Sequence, residues 1–348
     1  MRRPSRRLLA AAAVAGLLAT AGCGSDDAGS GSQGAGSGDA LVVYSGRNEN
    51  LVAPLLEQFT EATGIEVEAR YGGSAELAAQ LLEEGDRTPA QVFLSQDAGA
   101  LGALQDVDAL EQLPEATLAK VPERYRSADG RWVGVSGRSR VLVYNPELVA
   151  EADLPKSVFE LTGPAYEGKV GYAPTNASFQ SFVTAMRVTA GEQRTRAFLE
   201  GFAANEPRAY EGNALIVDAV DEGELPFGLV NHYYLYEKAA EAGGLDELTA
   251  RNYLFPGADP GSLVNVAGVG VLAGNGGEDA QALVDYLLGE DAQTYFAEVT
   301  KVFPLIGGVS PDVPGLPALD SLQGPDVDLS ELDSLDETLA LLDEVGLT

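Results

Sequence analysis

Apolar residues recur along this chain in short blocks, and their spacing alternates between two periods. Leu41-Val42-Val43-Tyr44 is an unbroken apolar run, read as a short buried strand. Over residues 49–63 the apolar positions Leu51, Leu55, Leu56 and Phe59 fall at helical spacing, and Gly64 supplies the stop. Residues 65–71 alternate as a strand does, and Ser74 is placed to cap a helix through Leu82. A strand over 92–94 and a helix over 98–104 follow. The middle predicts strands over 132–135, 141–144 and 169–172, with Pro146 closing the second. It predicts helices over 178–190, 195–204 and 214–222. A short strand over 227–230 then leads into Asn231. After a Pro/Gly loop, 263–272 reads as a long apolar strand, and 280–288, 292–299 and 330–345 read as helices. Strand and helix alternating in short units predict α/β architecture with parallel strands. No internal repeat interrupts this order.

The first forty residues follow a different logic. Arg2, Arg3, Arg6 and Arg7 form a basic head, and an apolar run over 8–21 follows. That run is too short and too small-sided for a membrane span, and it reads as an export signal. It ends at Thr20-Ala21-Gly22-Cys23, where small residues precede the only cysteine of the chain. The expectation is a lipoprotein signal peptide over 1–22 and a lipidated Cys23, although Thr20 stands where Leu is usual. An ordinary secretory signal is the alternative. Ser5-Arg6-Arg7-Leu8-Leu9 fits twin-arginine export and general export equally. Residues 23–39 read as the anchor followed by a flexible tether, because Gly, Ser, Asp, Ala and Gln cannot bury apolar area. Residues 40–348 are long enough for a sizeable core, in two lobes rather than one.

Charge narrows the partners. The chain carries 22 basic and 53 acidic residues, a net of −31. Without the four leader arginines, 18 basic residues remain against 53 acidic ones, a net of −35. Such a surface opposes binding to nucleic acid and to anionic lipid headgroups. It attracts cations, but general acidity explains it equally well, so charge does not identify a metal binder. Without thiols the mature chain has neither a disulfide framework nor a thiolate metal site. No nucleophile elbow, P-loop, dinucleotide fingerprint or His cluster occurs. A catalytic site would have to rest on Tyr and carboxylates alone.

The most unusual local feature is Asn231-His232-Tyr233-Tyr234-Leu235-Tyr236, at the carboxyl end of a short strand, where α/β folds place ligands. A phenolate is a hard, strongly donating oxygen, and only a strong Lewis acid displaces its proton at neutral pH, from a free pKa of about 10. Ferric iron does so. Taken alone, the dipeptide is better read as aromatic packing. His232 is the only histidine. In an extended segment its side chain points away from that of Tyr233, which suits a supporting or packing role.

Longer segments change the weight of the tyrosine pair. VVYSGRNENLVAPLLEQFTEATGIEV, YGGSAELAAQLLEEGDRTPAQVFLSQDAGALGAL, VGVSGRSRVLVYNPELV, NALIVDAVDEGELPFGLVNHYYLYE, VNVAGVGVL, DYLLGEDAQTYFAEVTKVFPL and PDVDLSELDSLDETLALLDEVGL occur in this order. Together they resemble the ferric-iron-binding proteins of bacterial ABC importers, the FbpA-like family, over nearly all of 40–348. The resemblance implies a class II periplasmic-binding-protein fold. Two α/β lobes, 40–137 plus 266–348 and 138–265, would be joined by crossover strands around a ligand cleft.

It also implies a site. Tyr233 and Tyr234 fall on the family's adjacent iron-ligating tyrosines, and Tyr144 on the third tyrosine that one branch uses. A frequent His ligand is replaced by Asn48 and a frequent Glu by Gln96, so three phenolates plus a synergistic anion, carbonate or citrate, would hold Fe(III). Arg47, Ser136, Gly137, Asn176 and Asn231 are the implied anion contacts, although capping alone would explain Asn176. Arg138 and Arg140 are weaker candidates, because either could be a structural ion-pairing residue. Glu49 and Asp97 lie beside the substituted ligands, as additional oxygen donors or as solvated carboxylates. The implied protein is a monomeric, extracytoplasmic solute-binding lipoprotein, held to the membrane only by its anchor. It would deliver iron to an ABC permease, and it would be no enzyme. Two rivals remain: a same-fold receptor for an organic anion, phosphonate or iron chelate, and an exported hydrolase.

Overall fold

The computed structural model describes residues 40–309 and 312–348. Cys23, the leader and the tether lie outside them. Ten strands form one sheet: β1 (Leu41–Ser45), β2 (Val67–Tyr71), β3 (Val92–Ser95), β4 (Val133–Tyr144), β5 (Val170–Tyr172), β6 (Arg208–Ala209), β7 (Phe227–Asn231), β8 (Arg251–Tyr253), β9 (Val264–Val271) and β10 (Phe303–Pro304). The order across it is β2-β1-β3-β9-β4-β7-β5-β6, with β8 and β10 paired to β4. β1 runs parallel to β2 and β3, and β5 parallel to β6 and β7. β9 and β4 run antiparallel to their neighbours.

The helices are α1 (Glu49–Thr63), α2 (Ser74–Glu84), α3 (Ala98–Gln105), α4 (Glu115–Leu118), α5 (Ala177–Ala190), α6 (Glu192–Ala204), α7 (Asn213–Asp221), α8 (Tyr233–Ala242), α9 (Glu278–Leu287), α10 (Glu290–Glu298) and α11 (Leu335–Glu344). α1 shows why the sequence pattern is readable. The Asn48 side chain accepts from the Asn50 N–H, Val52, Leu55, Leu56 and Phe59 are buried, and Gly64 closes the helix at φ 77°. Ser74 does not cap α2 as expected. Gly73 holds that position, and the Ser74 hydroxyl accepts from the Gln96 N–H at 2.9 Å, tying α2 to the end of β3.

β4 organises the molecule. Sequence periodicity predicts two strands with a polar gap, but one strand of 12 residues runs through, every residue buried. Residues 133–139 of β4 pair with β9, and residues 140–144 with β7. The partner change falls at Ser139 and Arg140. On the β9 side, one apolar cluster gathers Leu41, Phe59, Phe93, Trp132, Leu283 and Phe296. On the β7 side, Phe179, Phe182, Phe202 and Phe227 pack with α5 and α6 over one face. Val143, Ile216 and Leu235 pack with α7 and α8 over the other. The tail, assigned by sequence to the first lobe but open to packing across both, contributes to two clusters. Leu329 and Leu332 join the first cluster, whereas Leu341, Leu342 and Leu347 join the second. The expected single helix over 330–345 breaks accordingly, and α11 begins only at Leu335.

Candidate metal centre

β7 ends at Asn231, His232 already has helical backbone angles, and Tyr233 opens α8. The tyrosines therefore stand on the first turn of a helix, not on an extended segment. Their rings stack at 4.2 Å between centroids, with 28° between planes. Tyr233 is buried, 6 % exposed, and packs into the first apolar cluster although its helix belongs to the other side of the sheet. Burial, the neighbouring Tyr234 and a hydrogen bond donated to that side chain hold the Tyr233 pKa well above 10, despite Arg138 and Arg47.

Three arginines surround the pair. Arg47 comes from the end of β1, and Arg138 and Arg140 lie two residues apart on β4, on one face. All three are buried. Desolvation lowers the Arg47 pKa to about 10 and that of Arg140 to about 9, and it lowers that of Arg138 as well. The electrostatic partners of all three include Tyr233 and Tyr234. Among the described residues none of the three forms a salt bridge. Arg138 has no hydrogen-bond partner on any guanidinium nitrogen. Arg140 donates to Leu229 O at 2.9 Å, Ser178 Oγ at 3.3 Å and Asn231 Oδ1 at 3.4 Å, and its Nε is unpartnered. The reading of Arg138 and Arg140 as ion-pairing residues is thus corrected. Asp97, half-buried at the N-cap of α3, is the carboxylate that feels Arg138, and desolvation raises its pKa nonetheless.

A polar floor adjoins the arginines. Asn176 caps α5, its Oδ1 accepting from Ser178 N at 3.0 Å and Ser178 Oγ at 2.5 Å. Asn213, the first residue of α7, donates to Ser178 Oγ at 3.4 Å, and its own Oδ1 is buried without a partner. The N-termini of α5 and α7 are thereby tied together beside Arg140 and Asn231. Such ends carry partial positive charge. Ser178 and Asn213 were missed in the sequence; the available signal was an Asn or Ser at the start of each helix. A cavity of about 700 Å³ runs between α2, α3, the start of α5 and the tail, lined among others by Ser74, Asp97, Thr175, Ala177, Gln180 and Ser334; neither the arginines nor the tyrosines line it.

Other expected residues lie elsewhere. Tyr144 is the last residue of β4, opposite Phe227 and Arg251, whereas Arg140 is opposite Asn231. Four strand residues, about 13 Å, separate those registers. Tyr144 packs in the second apolar cluster, and burial and then Glu151 raise its pKa against Arg251. It is not brought to the pair, which corrects the expectation of a third phenolate. Gly137 faces Leu305 and Phe303, where a Cβ would sit 3.1 Å from Leu305. Ser136 is buried with its hydroxyl unpartnered. Asn48 and Glu49 are exposed at the start of α1, Asn48 spent on capping it. Gln96 is half-buried beside Ser74. His232 is packed, by other geometry than an extended segment would give. Desolvation lowers its pKa to about 3, Lys301 O and Ser139 N bond its ring, and Phe303 stacks on it at 4.2 Å.

A stacked tyrosine pair, one ring buried and one half-buried, thus lies in the field of three buried arginines, of which Arg138 is wholly unpartnered. Residues 87–328 match the family model of the bacterial extracellular solute-binding proteins. The chain belongs to this family. It is 35% identical over 308 residues to the Fe(3+)-binding periplasmic protein of Serratia marcescens, covering 88% of this chain and 90% of that one. It is 32% identical over 313 residues to the major ferric iron-binding protein of Neisseria meningitidis serogroup B, covering 88% and 93%. Among solved structures, iron-bound HitA from Pseudomonas aeruginosa superposes with a TM-score of 0.80 at 32% identity, over 88% of this chain and 99% of that one. Trichodesmium IdiA (FutA) in complex with iron and citrate gives 0.75 at 27% identity, over 89% and 100%. The fold is the class II periplasmic-binding-protein fold, as the resemblance implied, and the protein is a substrate-binding protein, not an enzyme. Among the described residues no helix is long and apolar enough to cross a membrane.

Proposed function

We propose that this solute-binding protein captures ferric iron in its cleft for transport, through the phenolates of Tyr233 and Tyr234 and an anion held by the arginines. The observation that carries the reading is the stacked tyrosine pair, Tyr233 buried and Tyr234 half-buried, in the field of three buried arginines without salt bridges among the described residues. The protonated Tyr233 phenol brings no charge to offset the three guanidinium groups, which repel a bare cation. Fe(III) with two phenolates still leaves one positive charge, so an anion is required to balance both metal and arginines. Carbonate or citrate bound by Arg138, Arg140, Asn176, Ser178, Asn213 and Asn231 would supply it. Arg47 approaches from the first lobe, so closure of the two lobes would complete the anion's contacts and create the form a permease recognises. The relatives named for ferric iron, one structure of which holds citrate, support the same reading.

The cellular setting belongs to this proposal too. Cys23 is the lipidation site, the mature protein sits outside the cytoplasmic membrane as an anchored monomer, and an ABC permease receives the iron. Cys23→Ser moves the protein from the membrane to the soluble fraction if this holds.

A second reading takes the same arginines as the whole site: a receptor for an organic anion without metal. The unpartnered Arg138 favours it as much as the first. Colour separates them. Iron-tyrosinate bonds absorb in the visible, so protein loaded with ferric citrate should turn orange to red. Tyr233→Phe and Tyr234→Phe should each lose most of the band while melting near wild type, whereas Tyr144→Phe and Tyr236→Phe should keep it. A colourless wild type that still binds citrate establishes the second reading.

A further inference from the structure

The tyrosine pair occupies the first turn of α8, so whatever fixes that turn fixes the two phenol oxygens. His232, one residue earlier, is held on every side. Its N–H donates to Ser139 O at 2.9 Å, and its ring Nδ1 accepts from Ser139 N–H at 3.1 Å. Its Nε2 lies 3.1 Å from Lys301 O. A carbonyl only accepts, so Nε2 carries the proton and the ring is the neutral Nε2–H tautomer. The ring stacks on Phe303 at 4.2 Å and 16°. The His232 carbonyl accepts from Asn252 Nδ2 at 2.8 Å.

These partners come from separate parts of the fold. Ser139 marks the point where β4 changes from β9 to β7. Lys301 and Phe303 follow α10, and Phe303 packs in the first apolar cluster. Lys301 has φ 56°, unusual for a residue with a side chain, in the segment that presents its carbonyl to the ring. We propose that His232 is a positioning residue for ligand capture, pinning the start of α8 to the crossing strand β4 and to the 301–303 segment of the first lobe. The tyrosines are thereby presented at one fixed angle to the arginines of β4. The proposal rests on the tyrosine-ligand reading above.

Imidazole suits the task because it offers an acceptor and a donor at opposite edges of a flat ring. Phenylalanine keeps only the flat face, and glutamine keeps one acceptor and one donor. With iron-loaded full-length protein, His232→Phe should shift the visible band and speed iron loss to a competing chelator about tenfold, the scale seen when a ligand's supporting hydrogen bonds are removed. His232→Gln should recover most of the wild-type rate. Phe303→Leu, which removes the stack alone, should move band and rate in the same direction by less.

A coloured wild type beside His232→Phe with the same band and the same rate overturns the clamp and leaves the ligand reading standing. His232→Gln no better than His232→Phe overturns it as well, because the hydrogen bonds would then be irrelevant. If His232→Phe does not fold, a Phe303→Leu variant with unchanged band and rate overturns it. A colourless wild type removes the ligand reading and the clamp together.

Discussion

A guanidinium buried with no partner on any nitrogen opposes folding, and Arg138 is in that state. Its neighbours explain the arrangement only if a ligand completes it. Asp97 lies within its field but makes no salt bridge with it, and burial raises the Asp97 pKa rather than fixing a carboxylate there. Replacing a buried ionic group by an apolar side chain of similar volume commonly stabilises by about 1–4 kcal/mol. Arg138→Met should therefore raise the melting temperature of the iron-free protein while weakening iron binding in citrate at least tenfold. Calorimetry of the free protein and a chelator competition read the two effects separately. A free protein that melts lower would assign Arg138 to the core instead of the cleft. Tyr144 teaches the complementary lesson. As a residue type it matches the expected ligand, and only strand register shows that it faces Phe227 and not the pair.

At the scale of elements, the tail passes from one core to the other, and two glycines of α3 admit it. A Cβ on Gly99 would lie 2.0 Å from Leu332 O, and one on Gly102 would lie 2.2 Å from Ser330 O. Beyond that crossing, Arg187 of α5 donates to Ser334 O at 2.8 Å and to Thr338 Oγ1 at 2.9 Å. In an open helix Gly→Ala stabilises by roughly 0.5–1 kcal/mol. Gly102→Ala should do the reverse, destabilising by about 1–3 kcal/mol as backbone is pushed aside. Urea unfolding with limited proteolysis of residues 312–348 checks it, and a stabilised variant would mean that the tail is not seated on α3. Most helices and the longer strands were legible, because their apolar spacing follows burial, as in α1. β4 was not. Ser136, Arg138, Ser139 and Arg140 are polar yet buried, so the stretch that builds the site was read as a gap between strands. β8 and β10, of three and two residues, carry no period to read. The pair itself was found through the resemblance, while Ser178 and Asn213 escaped because each reads as an ordinary helix start.

The whole molecule sets a positive pocket inside a strongly acidic chain, net −31. The cleft charges come from both sides of β4's partner change, so neither core alone assembles them: Arg47 leaves β1, Arg138 and Arg140 ride β4, and the tyrosines ride α8. Binding at such a site is linked to protons. The Tyr233 pKa is raised well above 10, so the free protein keeps that proton throughout the physiological range. A phenolate bond to Fe(III) must release it, and Tyr234 must likewise bind as an anion. Binding that releases protons weakens as protons become abundant. Each proton released makes the apparent affinity fall tenfold per unit drop in pH, about 1.4 kcal/mol. If both tyrosines enter as neutral phenols, the logarithm of iron affinity should rise with pH at a slope near two, after correction for protonation of the competing chelator. Tyr234→Phe should reduce the slope to near one. The measurement is a titration series from pH 5 to pH 8 at constant citrate and salt. A slope near zero in wild type would mean that no phenol gives up its proton, and iron would then not be held by these oxygens.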